Sequence, residues 1–243
     1  MENIYKDPTT KSGVSQIVRK RKGFSLIELS IVLVIISLLI AGASGGSRLL
    51  QASKLNGLTK DILHIKMMFS TFSQQYKALP GDYNDAAFLW GCSSCDGDRD
   101  GIINSTQEKL QSWKHLEHAD ILNQQVTGTL PGTSPFFGTE NAYNIKYSST
   151  AVAVIQEADL LPSATYTYDA TNFVYYVIVD SNYIDTTHPL LTPEEAYKID
   201  IKIDNGLPKS GKIFGALAAC YSGDDYDATT KTLVCNIAST VEY

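Results

Sequence analysis

The sequence predicts an α+β chain in which one long N-terminal helix packs on a small antiparallel sheet. Three observations carry this expectation. Residues 29–47 form an uncharged run rich in Ile, Leu and Val. Apolar residues then recur at steps of three and four as far as Leu79. Beyond Pro80, short aromatic and β-branched runs are broken by turn residues and by two helix-capping patterns. Strands that follow a long helix, instead of alternating with helices, give an α+β head.

Composition narrows the class. The chain has 243 residues, of which 44% are hydrophobic and 19% charged, which excludes a largely disordered chain. Lys and Arg number 20 against 26 Asp and Glu, a net −6, which disfavours a basic nucleic-acid binder. The charge is unevenly spread. Residues 1–23 hold Lys6, Lys11, Arg19, Lys20, Arg21 and Lys22 against Glu2 and Asp7, a net +4, which leaves −10 for residues 24–243. A basic head before an acidic body predicts a processed or membrane-inserted N-terminus with the body in water.

The first element is the apolar stretch. At about 1.5 Å rise per residue, Leu29 to Ser47 nearly spans a hydrocarbon core of about 30 Å. The basic cluster Arg19–Lys22 keeps residues 1–23 in the cytoplasm by the positive-inside rule and sends the chain after Arg48 outward. A plain single-pass anchor satisfies this pattern. So does a conventional secretory signal cleaved after Ala43, in a protein that would then be a secreted binding protein or enzyme. Neither accounts for Glu28, just inside the apolar stretch. A carboxylate there costs on the order of 2.5–3.5 kcal/mol and calls for a cationic partner within the bilayer.

The run Lys22-Gly23-Phe24-Ser25-Leu26-Ile27-Glu28 resembles the leader junction of type IV prepilins and type II secretion pseudopilins. The resemblance implies that a membrane prepilin peptidase cuts between Gly23 and Phe24 and methylates the Phe24 amine. Glu28 becomes the fifth mature residue. It implies also that Glu28 of one subunit pairs with the Phe24 amine of the next, so that two groups costly in lipid neutralise each other only in the correct axial register. The implied function is a non-enzymatic subunit, major or minor, of a type IV pilus or a type II secretion pseudopilus. The implied partners are other such subunits, the peptidase, an inner-membrane assembly platform and membrane lipid, with no direct nucleic-acid binding. The implied location is the bacterial inner membrane, crossed once with the head extracytoplasmic, then a filament in the periplasm or at the cell surface. The leader is long for the pilin group, and the proline common in the pilin helix is replaced by Gly45-Gly46. Gly42 to Gly46 reads as a small-residue helix-packing motif; as a hydrolase G-x-S-x-G it lacks the strand that signature needs.

The helix continues outside the membrane. Leu55, Leu58, Ile62, Ile65, Phe69, Phe72, Tyr76 and Leu79 form one stripe, with Lys54, Lys60, Asp61, Lys66 and Gln74 off it. A helix from about Phe24 to Leu79 is expected, stopping at Pro80-Gly81. His64 has no evident partner. The divisions are a leader 1–23, a membrane and polymerisation half 24–47, an amphipathic half 48–79 and a head 80–243. Ala78–Tyr83 resembles a segment of some pilin-like proteins and reads as a turn, not a site.

The acidic loop comes next. Asp96, Asp98 and Asp100, followed by Gly101 and the carbonyl of Ile102, match the first half of an EF-hand-type calcium loop. The match then degrades: the twelfth position is Gln107, and Glu108 is the nearest acid. Glu108 competes for another role, since Ser105-Thr-Gln-Glu108 is a capping box opening a helix with Leu110, Trp113, Leu116 and Leu122. Calcium, with ligands Asp96, Asp98, Asp100, Ile102 and Glu108, stands against a solvated turn, and Arg99 adds an opposing charge. Four cysteines in an extracytoplasmic body allow three pairings. Cys92–Cys95 with Cys220–Cys235 is favoured, the second resembling the cysteine-closed C-terminal loop of many pilins; a four-thiolate zinc site is the rival. His115-Leu-Glu-His118 falls short of the metalloprotease motifs, and both histidines read as surface residues. His188 reads as a loop residue before Pro189. No catalytic set is assembled in the sequence.

In the C-terminal half, residues 131–150 read as a surface loop. Ala164–Tyr168 and Phe173–Asp180 read as a hairpin. Thr192-Pro-Glu-Glu195 opens a helix to about Asp204 with Gly206 past its end. Lys212–Cys220 and Thr232–Ile237 read as strands. Lys198 to Gly211 resembles a stretch of some large pilin-like proteins.

Overall fold

The computed structural model describes residues 23–129, 140–148, 150–156, 174–180 and 189–241. The leader before Gly23, half of the 131–150 loop, the strand expected at Ala164–Tyr168, and His188 lie outside the described residues.

Helix α1 is Leu26–Tyr76, 51 residues long. The chain divides into two compact units between Arg48 and Leu49. In the first unit the apolar side chains of the helix are exposed, among them Leu26, Leu33, Val34 and Leu38. In the second, Leu58, Ile62, Ile65, Met68, Phe69 and Phe72 are buried. The three–four stripe is thus the core face, widened by Met68. The helix stops three residues earlier than the expected Leu79. Lys77 turns into the left-handed region at φ 56°, its N–H still bonding the Ser73 carbonyl at 3.0 Å. Pro80 disfavours a helical conformation at Leu79, and the turned chain delivers Leu79 to the core as a loop residue.

Helix α2 is Ala86–Trp90, and α3 is Thr106–His118. The capping box is formed: Ser105 Oγ accepts the Glu108 N–H at 3.1 Å, and Glu108 Oε2 accepts the Ser105 N–H at 3.0 Å. Leu110, Trp113 and Leu116 are buried from α3. Leu122 lies beyond the helix end; its N–H returns to the Leu116 carbonyl at 2.9 Å, so a turn and not the helix buries it.

The sheet has five antiparallel strands in the order β1–β2–β3–β7–β4. They are β1 Tyr143–Asn144, β2 Ala151–Gln156, β3 Val174–Asp180, β4 Ile213–Gly215 and β7 Ile237–Val241. In register, Ala153 faces Ile178, Tyr176 faces Ser239 and Phe214 faces Ala238. A separate hairpin pairs β5 Tyr221–Ser222 with β6 Asp225–Tyr226. Helix α4, Pro193–Ile203, lies between β3 and β4 in sequence and carries the second capping box, Thr192 with Glu195. These elements make the α+β class.

Two strand expectations are corrected, and one strand falls where none was expected: β2 is an interior strand with Ala151 to Ile155 buried. The Lys212–Cys220 strand shrinks to Ile213–Gly215, because residues 218–220 turn into a 3-10 helix that carries Cys220 to Cys235. The strand expected at Thr232–Ile237 lies instead at Ile237–Val241. Residues 234 and 235 are held by the Leu191 carbonyl, at 3.1 and 2.9 Å, and so are drawn off the main ladder.

Trp113 links the layers: Phe69 of α1 meets it edge-on at 5.7 Å and Tyr143 of β1 stacks on it at 5.8 Å. Two buried carboxylates pin the helices to the rest of the head. Asp61 accepts the Lys146 N–H at 3.0 Å, and Glu195 accepts Gln51 Nε2 at 2.7 Å and the Tyr147 hydroxyl at 3.2 Å. His64 does find a partner, the Tyr143 hydroxyl 3.3 Å from its Nδ1.

Candidate functional site

The N-terminal segment is built for contact with something apolar. Gly23 has open space around it, and Phe24 is 85% exposed. Glu28 sits in the first turn of α1 and its Oε2 accepts the Ser25 N–H at 2.7 Å. An acid there satisfies an otherwise unpaired amide and complements the positive end of the helix dipole. The carboxylate therefore stands one turn from Phe24, at the amino end of the helix. From this turn onward α1 is long and apolar enough to cross a membrane. Its exposed Ile, Leu and Val side chains favour an apolar surrounding over water.

A second constellation forms where the chain leaves α1. Gly81 and Gly97 set it. A Cβ at Gly97 would stand 2.3 Å from the Gly81 carbonyl oxygen, and one at Gly81 would stand 2.4 Å from that of Glu108. Only glycine permits three backbone segments to approach so closely. The approach is locked by Gly97 N–H to the Tyr83 carbonyl at 2.9 Å and Arg99 N–H to the Asp82 carbonyl at 3.1 Å. As a result one carboxylate oxygen from each of Asp82, Asp98 and Glu108 lies within 4.8 Å of the other two.

Asp82 is 1% exposed. Its Oδ2 accepts the Gly101 N–H at 3.1 Å, while Oδ1 has no hydrogen-bond partner. An orphaned buried acceptor costs about 1–3 kcal/mol. Burial first, then the charges of Asp100, Glu108 and Asp98, push the Asp82 carboxyl up to about 6, against the pull of the Gly101 N–H. Residues 79–82 form the turn expected after α1, and that turn carries this buried acid. Nothing in spacing links position 82 to 98 and 108, so no sequence signal pointed to it.

The structure brings Asp98 and Glu108 of the expected loop set together, and uses the others elsewhere. Asp96 Oδ1 accepts the Ala87 N–H at 2.7 Å, at the start of α2. Asp100 accepts the Ile102 N–H at 2.8 Å and Asn104 Nδ2 at 3.1 Å. Ile102 is half exposed. The guanidinium of Arg99 bonds Asn84 Oδ1 at 3.2 Å and stands 4.0 Å from Asp85.

His115 is buried, not a surface residue, because the turn at 81 and the cysteine loop fold over it. Its Nδ1 accepts the Gly81 N–H at 2.8 Å, so the ring proton sits on Nε2 and is donated to the Cys95 carbonyl at 2.7 Å. Burial pulls its pKa down to about 4. Phe72 stacks on the ring at 6.1 Å and Trp90 lies 5.4 Å away. His118, half-buried, stacks on Trp90 at 5.5 Å.

Two disulfides are present, Cys92–Cys95 beside this constellation and Cys220–Cys235 closing the C-terminal loop. That loop is tied to α4: Asp200, fully buried, accepts the Tyr226 hydroxyl at 2.8 Å and the Gly206 N–H at 2.9 Å.

Residues 18–44 match the family model described as the prokaryotic N-terminal methylation motif. No curated protein and no solved structure matches the chain.

Proposed function

We propose, from the premise that this methylation motif marks a type IV pilin- or pseudopilin-type precursor, that the protein is a structural subunit of a type IV pilus or a type II secretion pseudopilus. The single observation that carries the reading is the match over residues 18–44, which contains Gly23, Phe24 and Glu28 in their expected order. The prepilin peptidase cuts after Gly23 and the Phe24 amine is methylated. The subunit waits in the inner membrane with its head outside, then enters a filament through α1. The exposed apolar surface of residues 24–47 supports this, since it suits lipid before assembly and neighbouring α1 helices after it.

Glu28 supplies the register. Its carboxylate already turns toward the amino end of its own helix. In the filament it meets the Phe24 amine of a neighbouring subunit, and the two opposite charges remove each other's cost in an apolar surrounding. No part of this role requires an enzymatic centre. The partners are other subunits of the same kind, the peptidase and the inner-membrane assembly platform.

N-terminal sequencing of the mature protein, with mass spectrometry, tests the reading. An N-terminal methylated Phe24 is the expected result. Ser44 at the N-terminus would mean a secreted protein with a conventional signal peptide, and an intact Met1 a plain membrane anchor.

A further inference from the structure

We propose that Asp82, Asp98 and Glu108 form a binding site for one calcium ion that ties the end of α1 to the head. The acids do not carry this alone. Asp82 is almost wholly buried, its Oδ2 is fixed by Gly101 and its Oδ1 has no hydrogen-bond partner, and one oxygen of this carboxylate lies in the cluster. A buried acceptor without a donor is stabilised by a cation that takes its lone pair.

The spacing fits a metal. Oxygens bound to one calcium at about 2.4 Å stand no more than about 4.8 Å apart. The three carboxylate oxygens lie within 4.8 Å of one another. An all-oxygen, triply acidic set suits a hard divalent cation and not zinc, which prefers nitrogen and sulfur. Calcium suits it better than magnesium, which dehydrates reluctantly and demands near-ideal octahedral geometry. Asp98 is exposed and opens the site to solvent, where water completes the coordination.

The frame is braced before any ion arrives. Gly97 and Arg99 bond the backbone of Tyr83 and Asp82, His115 joins Gly81 to Cys95, and Cys95 is bonded to Cys92. Glu108 is held at the start of α3 by its capping box. Arg99, the one cation in the loop sequence, is directed to Asn84 and Asp85. The ion joins the α1 exit, the loop and α3, which are separate in sequence.

The experiment uses the full-length protein in detergent. After treatment with chelator, calcium is titrated in by calorimetry, and melting is followed in calcium and in chelator. One ion per chain is expected, with melting raised by about 5 °C or more when calcium is about 100-fold above its dissociation constant. Asp82→Asn keeps an acceptor for Gly101 and should lose affinity about tenfold or more, whereas Asp96→Asn, which still caps α2, should stay within about twofold. Equal melting in calcium and chelator overturns the site, as does wild-type affinity in Asp82→Asn. Loss of affinity in Asp96→Asn equal to that in Asp82→Asn overturns the ligand set. Should Asp82→Asn fail to fold, the calcium-against-chelator comparison on the unaltered protein decides.

Discussion

His115 Nδ1 accepts the backbone N–H of Gly81 at 2.8 Å, across a gap of 34 residues. A neutral imidazole thereby closes the turn that follows α1, and its other nitrogen holds the cysteine loop through Cys95. Protonation would place a second hydrogen against the Gly81 N–H, so the fold requires the neutral ring.

His115→Ala should destabilise the head by about 3 kcal/mol, since it orphans the Gly81 N–H and the Cys95 carbonyl and leaves a hole beside Phe72. The pH dependence has a definite sign. The folded value, about 4, lies below the ordinary 6.5. Between these values the unfolded chain binds more protons than the folded one. The stabilisation from this group is complete above about pH 6.5 and is lost as pH falls toward 4. Urea unfolding across this window should show the stability difference between the unaltered protein and His115→Ala shrinking as pH falls.

Asp200 titrates with the opposite consequence. Burial holds its carboxyl up to about 6 against the bonds from Tyr226 and Gly206, compared with the ordinary 3.8. In this window the folded chain binds more protons than the unfolded one. Stability contributed by this group therefore falls as pH rises from about 4 to about 6, by up to ~3 kcal/mol. Asp200→Asn removes that slope and should be at least as stable as the unaltered protein at pH 7. The measurement is the difference between the two unfolding curves at pH 4, 5, 6 and 7. A constant difference would refute it.

Glu28→Ala and Glu28→Gln separate charge from cap. Neither should hinder membrane insertion, because a carboxylate in the apolar region opposes it. Both should still be cleaved after Gly23. Gln keeps an acceptor for the Ser25 N–H but has no charge to offer an amine. Both variants should be depleted from sheared filaments. Normal incorporation of Gln with loss of Ala would assign Glu28 to capping its own helix alone.

The Cys220–Cys235 bond closes a 15-residue separation between the 3-10 turn and the approach to β7. Replacing both cysteines by serine should cost about 3 kcal/mol, through the freedom returned to the unfolded chain. Chemical denaturation compares the variant with the unaltered protein. An unchanged midpoint would place the loop's order in the Asp200–Tyr226 contact instead.

Much of the molecule was legible before any coordinates. The junction from Lys22 to Glu28, the uncharged run after it and the three–four stripe from Leu55 depend only on order along the chain. The capping boxes at Ser105–Glu108 and Thr192–Glu195 are likewise local, since each closes within three residues. Sequence alone thus determined the long N-terminal helix, its apolar surface and the starts of α3 and α4.

The tertiary structure decided the rest. Asp82 meets Asp98 and Glu108 only because Gly97 lies on Gly81 and Gly81 on Glu108, and no periodicity records such an approach. His115 is buried because two loops close over it, although its place on α3 read as surface. β2 and β7 are joined through β3, whose paired residues lie 19 or more positions from either strand. Helix stripes and caps are written in contacts three or four residues apart, which a sequence displays directly. Sheet order, buried acids and converging loops arise from contacts whose free energy exists only after the chain has closed on itself.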